Sequence, residues 1–254
     1  MNFSHAILRK PCKKISEGIS SANLGKPNYK RAVSQHENYA EVLRKCGLKL
    51  TILPANESYP DSTFVEDTAI LTEKCAIITR PGAESRRGEI DSIEKVLPVF
   101  FDTIEYITAS GTLDGGDVLR VEDHFYIGLS KRTNQDGADQ LINILNKFGY
   151  SGSKIENIPS LHLKSSIAYL HNNILLLSED LKNHKEFQDF EQIIVPRDEN
   201  YAANSIWVNN KIVIPEGYRS TRKQIEARGY ETIPVDTSEF KKIDGGLSCL
   251  SLRF

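Results

Sequence analysis

The apolar positions of this chain recur in a unit. Two short apolar strands flank a tight polar turn, a helical stretch follows, and a further short strand closes the unit. The first copy opens with Thr68-Ala-Ile-Leu-Thr-Glu-Lys-Cys-Ala-Ile-Ile-Thr79, continues through a predicted helix over Ala83 to Val96, and ends in a strand over Ile104 to Ile107. Apolar runs of strand length broken by turn residues read as hairpins. The second copy is the hairpin Asp117 to Gly128 and a helix over Gly137 to Phe148, whose Leu141, Ile142, Ile144 and Leu145 form a helical stripe. The third is Ile167 to Leu177, with only a weak helical signal near Lys185, and the fourth is Ser205 to Ile214 with a helix over Ser220 to Arg228. The pairs Asn172-Asn173 and Asn209-Asn210 suit the hairpin turns, because Asn tolerates positive φ.

Two half-units remain. The N-terminal segment offers a strand over Ala6 to Leu8, a helix over Tyr29 to Cys46 and an apolar run over Leu48 to Leu53; the C-terminal segment Leu247 to Phe254 is a strand with no helix after it. Joined in space they make a fifth unit. The pattern therefore predicts one α/β domain over residues 1–254, with five αβ units around a pseudo-fivefold axis, closed by the N- and C-terminal strands. The alternative on pattern alone is an ordinary mixed α/β sheet. In a closed arrangement the loops gather at one end and bring distant residues together. Those to watch are Gly18–Pro27, Tyr59–Asp67, Gly82–Gly88, Thr112–Asp117, Ser130–Asn134, Pro159–Ser166 and Lys242–Cys249.

Composition narrows the function classes. The 254 residues are 39% apolar and 26% charged, with net charge −2. There is no basic surplus to favour nucleic acid or an anionic membrane. The apolar run Ala6 to Leu8 is too short for a signal peptide, and no stretch approaches the roughly 20 apolar residues of a membrane span. The default expectation is a cytoplasmic protein. The four cysteines, Cys12, Cys46, Cys75 and Cys249, lack C-x-x-C spacing, which argues against a zinc ribbon or a disulfide framework.

Candidate chemistry begins at Cys249. In Leu247-Ser-Cys-Leu-Ser-Leu-Arg-Phe254 strand alternation puts Leu250, Leu252 and Phe254 on one face and Cys249, Ser251 and Arg253 on the other. A structural cysteine normally sits with the apolar side chains. One on the polar face, just after Asp244-Gly245-Gly246, is a candidate nucleophile. Cys46 and Cys75 read as structural and Cys12 as exposed. His162, between two leucines, is either a core histidine or the proton-transfer partner such a thiol needs. Asp61, Glu66 and Asp67 in one loop, with Asp114 and Asp117 in another, suit a cationic ligand and a guanidinium in particular. Solvated turns are the plainer alternative. Arg86 and Arg132, also in loops, would hold a carboxylate or else serve as surface charge.

Taken together, Phe64-Val-Glu-Asp67, Ile78-Thr-Arg-Pro-Gly-Ala-Glu-Ser-Arg-Arg87, Leu113-Asp-Gly-Gly-Asp117, Leu129-Ser-Lys-Arg-Thr-Asn134, Leu161-His-Leu-Lys164 and Asp244-Gly-Gly-Leu-Ser-Cys249 resemble, in order and nearly end to end, the motifs of the dimethylarginine dimethylaminohydrolase family. The resemblance implies the five-bladed α/β propeller of the guanidine-modifying (pentein) superfamily. It implies hydrolysis of a methylated arginine to citrulline, with a covalent intermediate on Cys249, His162 as general acid/base and Asp114 orienting it. It implies that Asp67, with Glu66, binds the guanidinium, that Arg86 and Arg132 clamp the α-carboxylate, and that Asp61 with the carbonyls of Ile19 and Ile243 contacts the α-amino group. Glu17-Gly-Ile-Ser-Ser21 resembles the family's lid. Some relatives carry Glu at the position of Asp114, and relatives often have Leu at Ile19 and tend to have Cys at Ser205. No cofactor or metal is implied, although Cys249 and His162 are both good zinc ligands and zinc inhibition there stays open. The expected partner is a small-molecule substrate, with no nucleic acid and no membrane; a homodimer stays open. The rival readings are a deiminase acting on free arginine and a non-catalytic binding protein of the same fold.

Overall fold

The computed structural model describes residues 2–254. Strand β1 (His5–Arg9) leads into helix α1 (Tyr29–Lys45), which returns the chain to β2 (Lys49–Leu53). The Asn28 side chain caps α1 by accepting from the Arg31 N–H at 3.1 Å. Ala32, Gln35, His36, Tyr39, Ala40, Val42 and Leu43 form its buried face, the three- and four-residue spacing of a helix lying on a sheet. The hairpin β3 (Ala69–Leu71) and β4 (Ala76–Ile78) crosses through a short α2 (Ile90–Glu94) to β5 (Ile104–Tyr106). The next hairpin, β6 (Val118–Val121) and β7 (His124–Gly128), crosses through α3 (Gln135–Lys147) to β8 (Ser151–Ile155). Strands β9 (Ile167–Tyr169), β10 (Ile174–Ser178) and β11 (Glu191–Val195) follow, then β12 (Ile206–Val208), β13 (Lys211–Pro215), α4 (Arg219–Glu226) and β14 (Glu231–Val235). A single turn, α5 (Ser238–Lys241), precedes β15 (Leu252–Arg253).

These strands form five sheets of three strands each, in an α/β arrangement. Four sheets have one topology: an antiparallel hairpin, then a parallel partner reached by a crossover, as in β3-β4-β5 and β12-β13-β14. The fifth has the same layout but draws on both ends of the chain. β15 pairs antiparallel with β1, matching Ala6 to Arg253 and Ile7 to Leu252, and β1 pairs parallel with β2. The two sequence half-units therefore meet in space. The first strand of each sheet, β3, β6, β9, β12 and β15, contributes to the wall of one cavity of about 360 Å³. Among the described residues no helix is long and apolar enough to cross a membrane.

The hairpin turns use the expected residues: Asn172, Asn173, Asn209 and Asn210 all have positive φ. Three expectations need correction. The helix over Ala83 to Val96 is instead a 3-10 stretch (Glu84–Glu89) running into the five-residue α2, because Arg86 and Glu89 turn inward to a buried ion network rather than outward. The strand over Leu247 to Phe254 is only β15; Ser248–Leu250 coils into a 3-10 turn that buries Leu250. Cys12 is 1% exposed rather than exposed, its Sγ packed 3.9 Å from the Pro60 carbonyl.

Candidate functional site

Every first strand is entered through a 3-10 turn: Val65–Thr68 before β3, Gly115–Asp117 before β6, Leu163–Ser165 before β9, Arg197–Ala203 before β12, and Ser248–Leu250 before β15. The first four touch one another in succession, and the last packs on the first. Glu66 and Asp67 lie in the first, Asp114 and His162 stand in extended backbone immediately before the second and third, and Cys249 is in the fifth. Residues far apart in sequence thus converge because they occupy equivalent places in successive sheets.

Of the sequence candidates, Cys249, His162, Asp67, Arg86, Arg132, Ile19 and Ile243 line one small cavity of about 30 Å³. Asp114 stands behind it, 0% exposed, with Oδ2 3.0 Å from His162 Nε2. Its Oδ1 accepts from the Gly82 N–H at 2.8 Å, and Arg132 Nη1 lies 3.5 Å from Oδ2. Asp67 accepts from Arg86 Nη1 at 2.6 Å and from the Gly116 N–H at 2.9 Å. Gly116 is required here: a Cβ would sit 2.9 Å from His162 Nδ1 and 3.0 Å from Asp67 Oδ1. The glycine lets imidazole and carboxylate approach each other across the backbone. Cys249 is partly buried, and its Sγ accepts from the Gly246 N–H at 3.4 Å.

Burial would drive a proton off His162. The charge of Asp67, the hydrogen bond to Asp114 and the charges of Asp117 and Asp114 outweigh it and raise the pKa to about 9. The imidazole is a cation at neutral pH. Cys249 is raised as well, away from the lowered value of a permanently activated thiol: burial first, then the charges of Glu66 and Asp67, push it up to about 12, against the Gly246 N–H and Lys164. It rests as a neutral thiol. Burial would also raise Asp67, but the charge of Arg86, then of His162, and the hydrogen bonds from Arg86 and Gly116 hold it down at about 2.

Four candidates are placed otherwise than expected. Glu66 does not line the small cavity: its Oε1 accepts from Lys164 Nζ at 2.6 Å and its Oε2 from Ser248 Oγ at 2.7 Å, on the side of the larger cavity. Adjacent residues in a turn point in different directions, so Glu66 and Asp67 part. Arg86 reaches the cavity but is committed inside the protein, to Asp67, Glu89 and the Phe64 carbonyl. Asp61 accepts from the Ile19 N–H at 3.1 Å and so anchors the loop that carries Ile19. Asp117, grouped in the sequence with the acids suited to a cation, instead accepts from Ser130, Thr133 and the Leu163 N–H. Burial first pushes its pKa up to about 6. Sequence reasoning passed over Lys164, Asn204, Ser248 and Glu89, whose signal lies in buried bonding that no local pattern carries.

Asp67, Asp114 and His162 offer ligand atoms within 4.8 Å of one another, the one such metal-sized group among the described residues. Arg86 already pairs with Asp67, and Arg132 lies against Asp114, so positive charge opposes a metal ion there.

A family described as N,N dimethylarginine dimethylhydrolase, eukaryotic, matches residues 20–183. An N(G),N(G)-dimethylarginine dimethylaminohydrolase from Pseudomonas aeruginosa is 51% identical over 253 residues, covering 99% of this chain and 100% of that protein. One from Streptomyces coelicolor is 30% identical, covering 100% of this chain and 98% of that protein. The solved structure of the Pseudomonas aeruginosa enzyme, a C249S mutant complexed with citrulline, superposes with a TM-score of 0.99 at 50% identity and covers 100% of both chains. The N-terminal domain of a cyanobacterial arginine dihydrolase shares the fold, with a TM-score of 0.88 at 18% identity over 98% of this chain and 97% of that one.

Proposed function

We propose, because this chain belongs to the dimethylarginine dimethylaminohydrolase family, that it hydrolyses N-omega-methylated arginine to citrulline and dimethylamine or methylamine. The observation that carries the reading is a cationic His162, bonded to Asp114, lining the same small cavity as Cys249 and Asp67. We read residues 1–254 as one catalytic domain, the five sheets being blades of a propeller about a pseudo-fivefold axis that runs through the larger cavity. The participation of all five first strands in that cavity supports this, as does the β1–β15 pairing that completes the fifth blade. We place the reaction in the cytoplasm and its substrate among free amino acids.

Cys249 is the nucleophile and attacks the guanidinium carbon. The neutral resting thiol fits this role once a cation enters beside it: a guanidinium next to Asp67 stabilises the thiolate by opposite charge, so the thiol gives its proton up to solvent as substrate binds. His162, protonated at neutral pH, gives its proton to the departing amine. The adduct on sulfur is then hydrolysed by a water that hands its proton back to the now neutral imidazole. Asp114 holds the ring and stabilises its cation. Arg132, with the remaining N–H of Arg86, meets the α-carboxylate, and the carbonyls of Ile19 and Ile243 meet the α-amino group, with Asp61 holding the Ile19 loop in reach. Glu66 belongs to the scaffold under Cys249 rather than to the guanidinium contact. A cavity of about 30 Å³ holds little more than a water or two, so substrate entry requires the loop around Ile19, which is 41% exposed, to swing outward.

The test is citrulline release from asymmetric dimethylarginine, monomethylarginine and arginine side by side. The expected result is turnover of the methylated substrates, with arginine slower by a wide margin. Efficient ammonia release from arginine with none of the amine products would give the protein to the deiminases.

A further inference from the structure

We propose that Asn204 is a positioning residue that sets the separation of Cys249 and His162 by clamping together the two turns that carry them. The inference rests on the reading of those two residues as nucleophile and proton donor. Four of the five strand-opening turns supply a side chain already placed in the site or its support; the turn Arg197–Ala203 supplies none. Asn204 follows it directly and is 5% exposed. Its amide is fully engaged. Oδ1 accepts from the Ser248 N–H at 3.0 Å, while Nδ2 donates to Ser248 Oγ at 2.9 Å and to the Lys164 carbonyl at 2.7 Å. One partner is the residue before Cys249, and the other lies two residues after His162.

The clamp closes on itself. Ser248 Oγ donates to Glu66 Oε2 and Lys164 Nζ to Glu66 Oε1, so three of the five turns, together with Asn204 at the end of a fourth, join in one closed ring of hydrogen bonds. The Gly245-Gly246 turn is shaped around the amide: a Cβ on Gly246 would come 2.3 Å from Asn204 Oδ1. Asn204, Ser248, Lys164 and Glu66 line the larger cavity and not the small one, so Asn204 acts through the turns rather than on substrate. A carboxamide suits the position because it accepts once and donates twice. An ionised carboxylate would donate nothing, and a methyl would leave a buried N–H and a buried carbonyl without partners. Addition of a thiolate to the face of a planar guanidinium carbon is sensitive to such spacing, since a shift of about 1 Å in a reacting group costs roughly 10²-fold in rate.

The experiment compares Asn204→Ala and Ser248→Ala with wild type. It measures kcat and KM on asymmetric dimethylarginine, the thermal midpoint, and the rate of Cys249 alkylation by iodoacetamide read on the Cys249 peptide by mass. Alkylation needs the sulfur but not its alignment with His162. For Asn204→Ala the expected result is a fall in kcat of about 10²-fold with KM and alkylation rate each within about threefold of wild type. Ser248→Ala keeps the backbone bond to Asn204 and should lose about tenfold in kcat. A kcat within twofold in the folded variant, with only the thermal midpoint lowered, overturns the proposal, as does a rise in KM alone or an alkylation rate that falls as far as kcat does. Should Asn204→Ala fail to fold, Ser248→Ala decides by the same criteria. Wild-type enzyme must lose activity on alkylation at Cys249; if it does not, the underlying nucleophile reading fails, and it fails independently of anything Asn204 does.

Discussion

At the scale of residues, neighbours set the protonation states on which the proposed chemistry depends. Cys249→Ser replaces the proposed nucleophile, a thiol, with a hydroxyl that ionises far less readily. Citrulline formation should fall by at least about 10³-fold while the thermal midpoint stays near wild type. Near-normal turnover by this variant, followed in a citrulline assay, would sink the nucleophile assignment. Asp114→Asn keeps the shape beside His162 Nε2 but removes the carboxylate. That carboxylate helps raise the His162 pKa to about 9, so the variant's value should fall toward the ordinary 6.5. The proton donor would then be lost on the alkaline side at lower pH. The expected outcome is a kcat reduced by about 10²-fold, with the alkaline limb of the kcat–pH profile displaced downward and KM little changed. An unmoved alkaline limb would mean that Asp114 does not tune His162.

At the scale of elements, the strand-opening turns and their supports hold the site. Asn134 shows how a helix is tied into it. Its Oδ1 caps α3 by accepting from the Gly137 N–H at 2.8 Å, and it also accepts from the Thr112 N–H at 2.9 Å, two residues before Asp114. Asn134→Ala removes both bonds and should cost about 1–2 kcal/mol of stability in urea unfolding, the range of a lost N-cap. Because Asp114 keeps its bonds to Gly82 and His162, activity at 25 °C should change much less than stability does. A loss of activity larger than the loss of stability would show that the helix cap positions Asp114 directly. The crossover between β10 and β11 has only short 3-10 turns, Glu179–Leu181 and Lys185–Phe187, where other sheets have an α-helix. The weak periodicity near Lys185 anticipates this.

At the scale of the whole molecule, the buried charges that serve the site also shape stability against pH. The raised pKa of His162 favours the fold fully below about 6.5, and that contribution is lost as pH rises through about 9. Cys249, raised to about 12, adds in the same direction, since the unfolded thiol ionises well before the folded one. Stability should therefore decline from pH 6.5 to 9 by an amount on the order of 3 kcal/mol from His162, followed by denaturant midpoints across that range. The decline should be shallower in His162→Gln. A wild-type midpoint flat from pH 6.5 to 9 would contradict the charge arrangement around His162.

The sequence by itself determined the repeat, and the reason is local. Hairpins such as β9-β10 and β12-β13 announce themselves by strand-length apolar runs and Asn turns, and α3 by its apolar stripe. It also singled out Cys249, His162 and Asp114 as candidates through short motifs that stand in order along the chain, and the fold brings the three together. Tertiary structure decided the rest. Whether Glu66 or Asp67 faces the small cavity depends on the pitch of a 3-10 turn and on Lys164 and Ser248 reaching Glu66 from distant turns. Arg86 is drawn inward by Asp67 and Glu89, and Cys12 is buried by a loop from Tyr59, through contacts that no periodicity encodes. Asn204 reads in sequence as one more polar residue before a strand; only when the turns converge does its amide meet Ser248 and Lys164 together. Local patterns specify which backbone hydrogen bonds form within an element, whereas the partners of a buried polar side chain depend on how the elements close on one another.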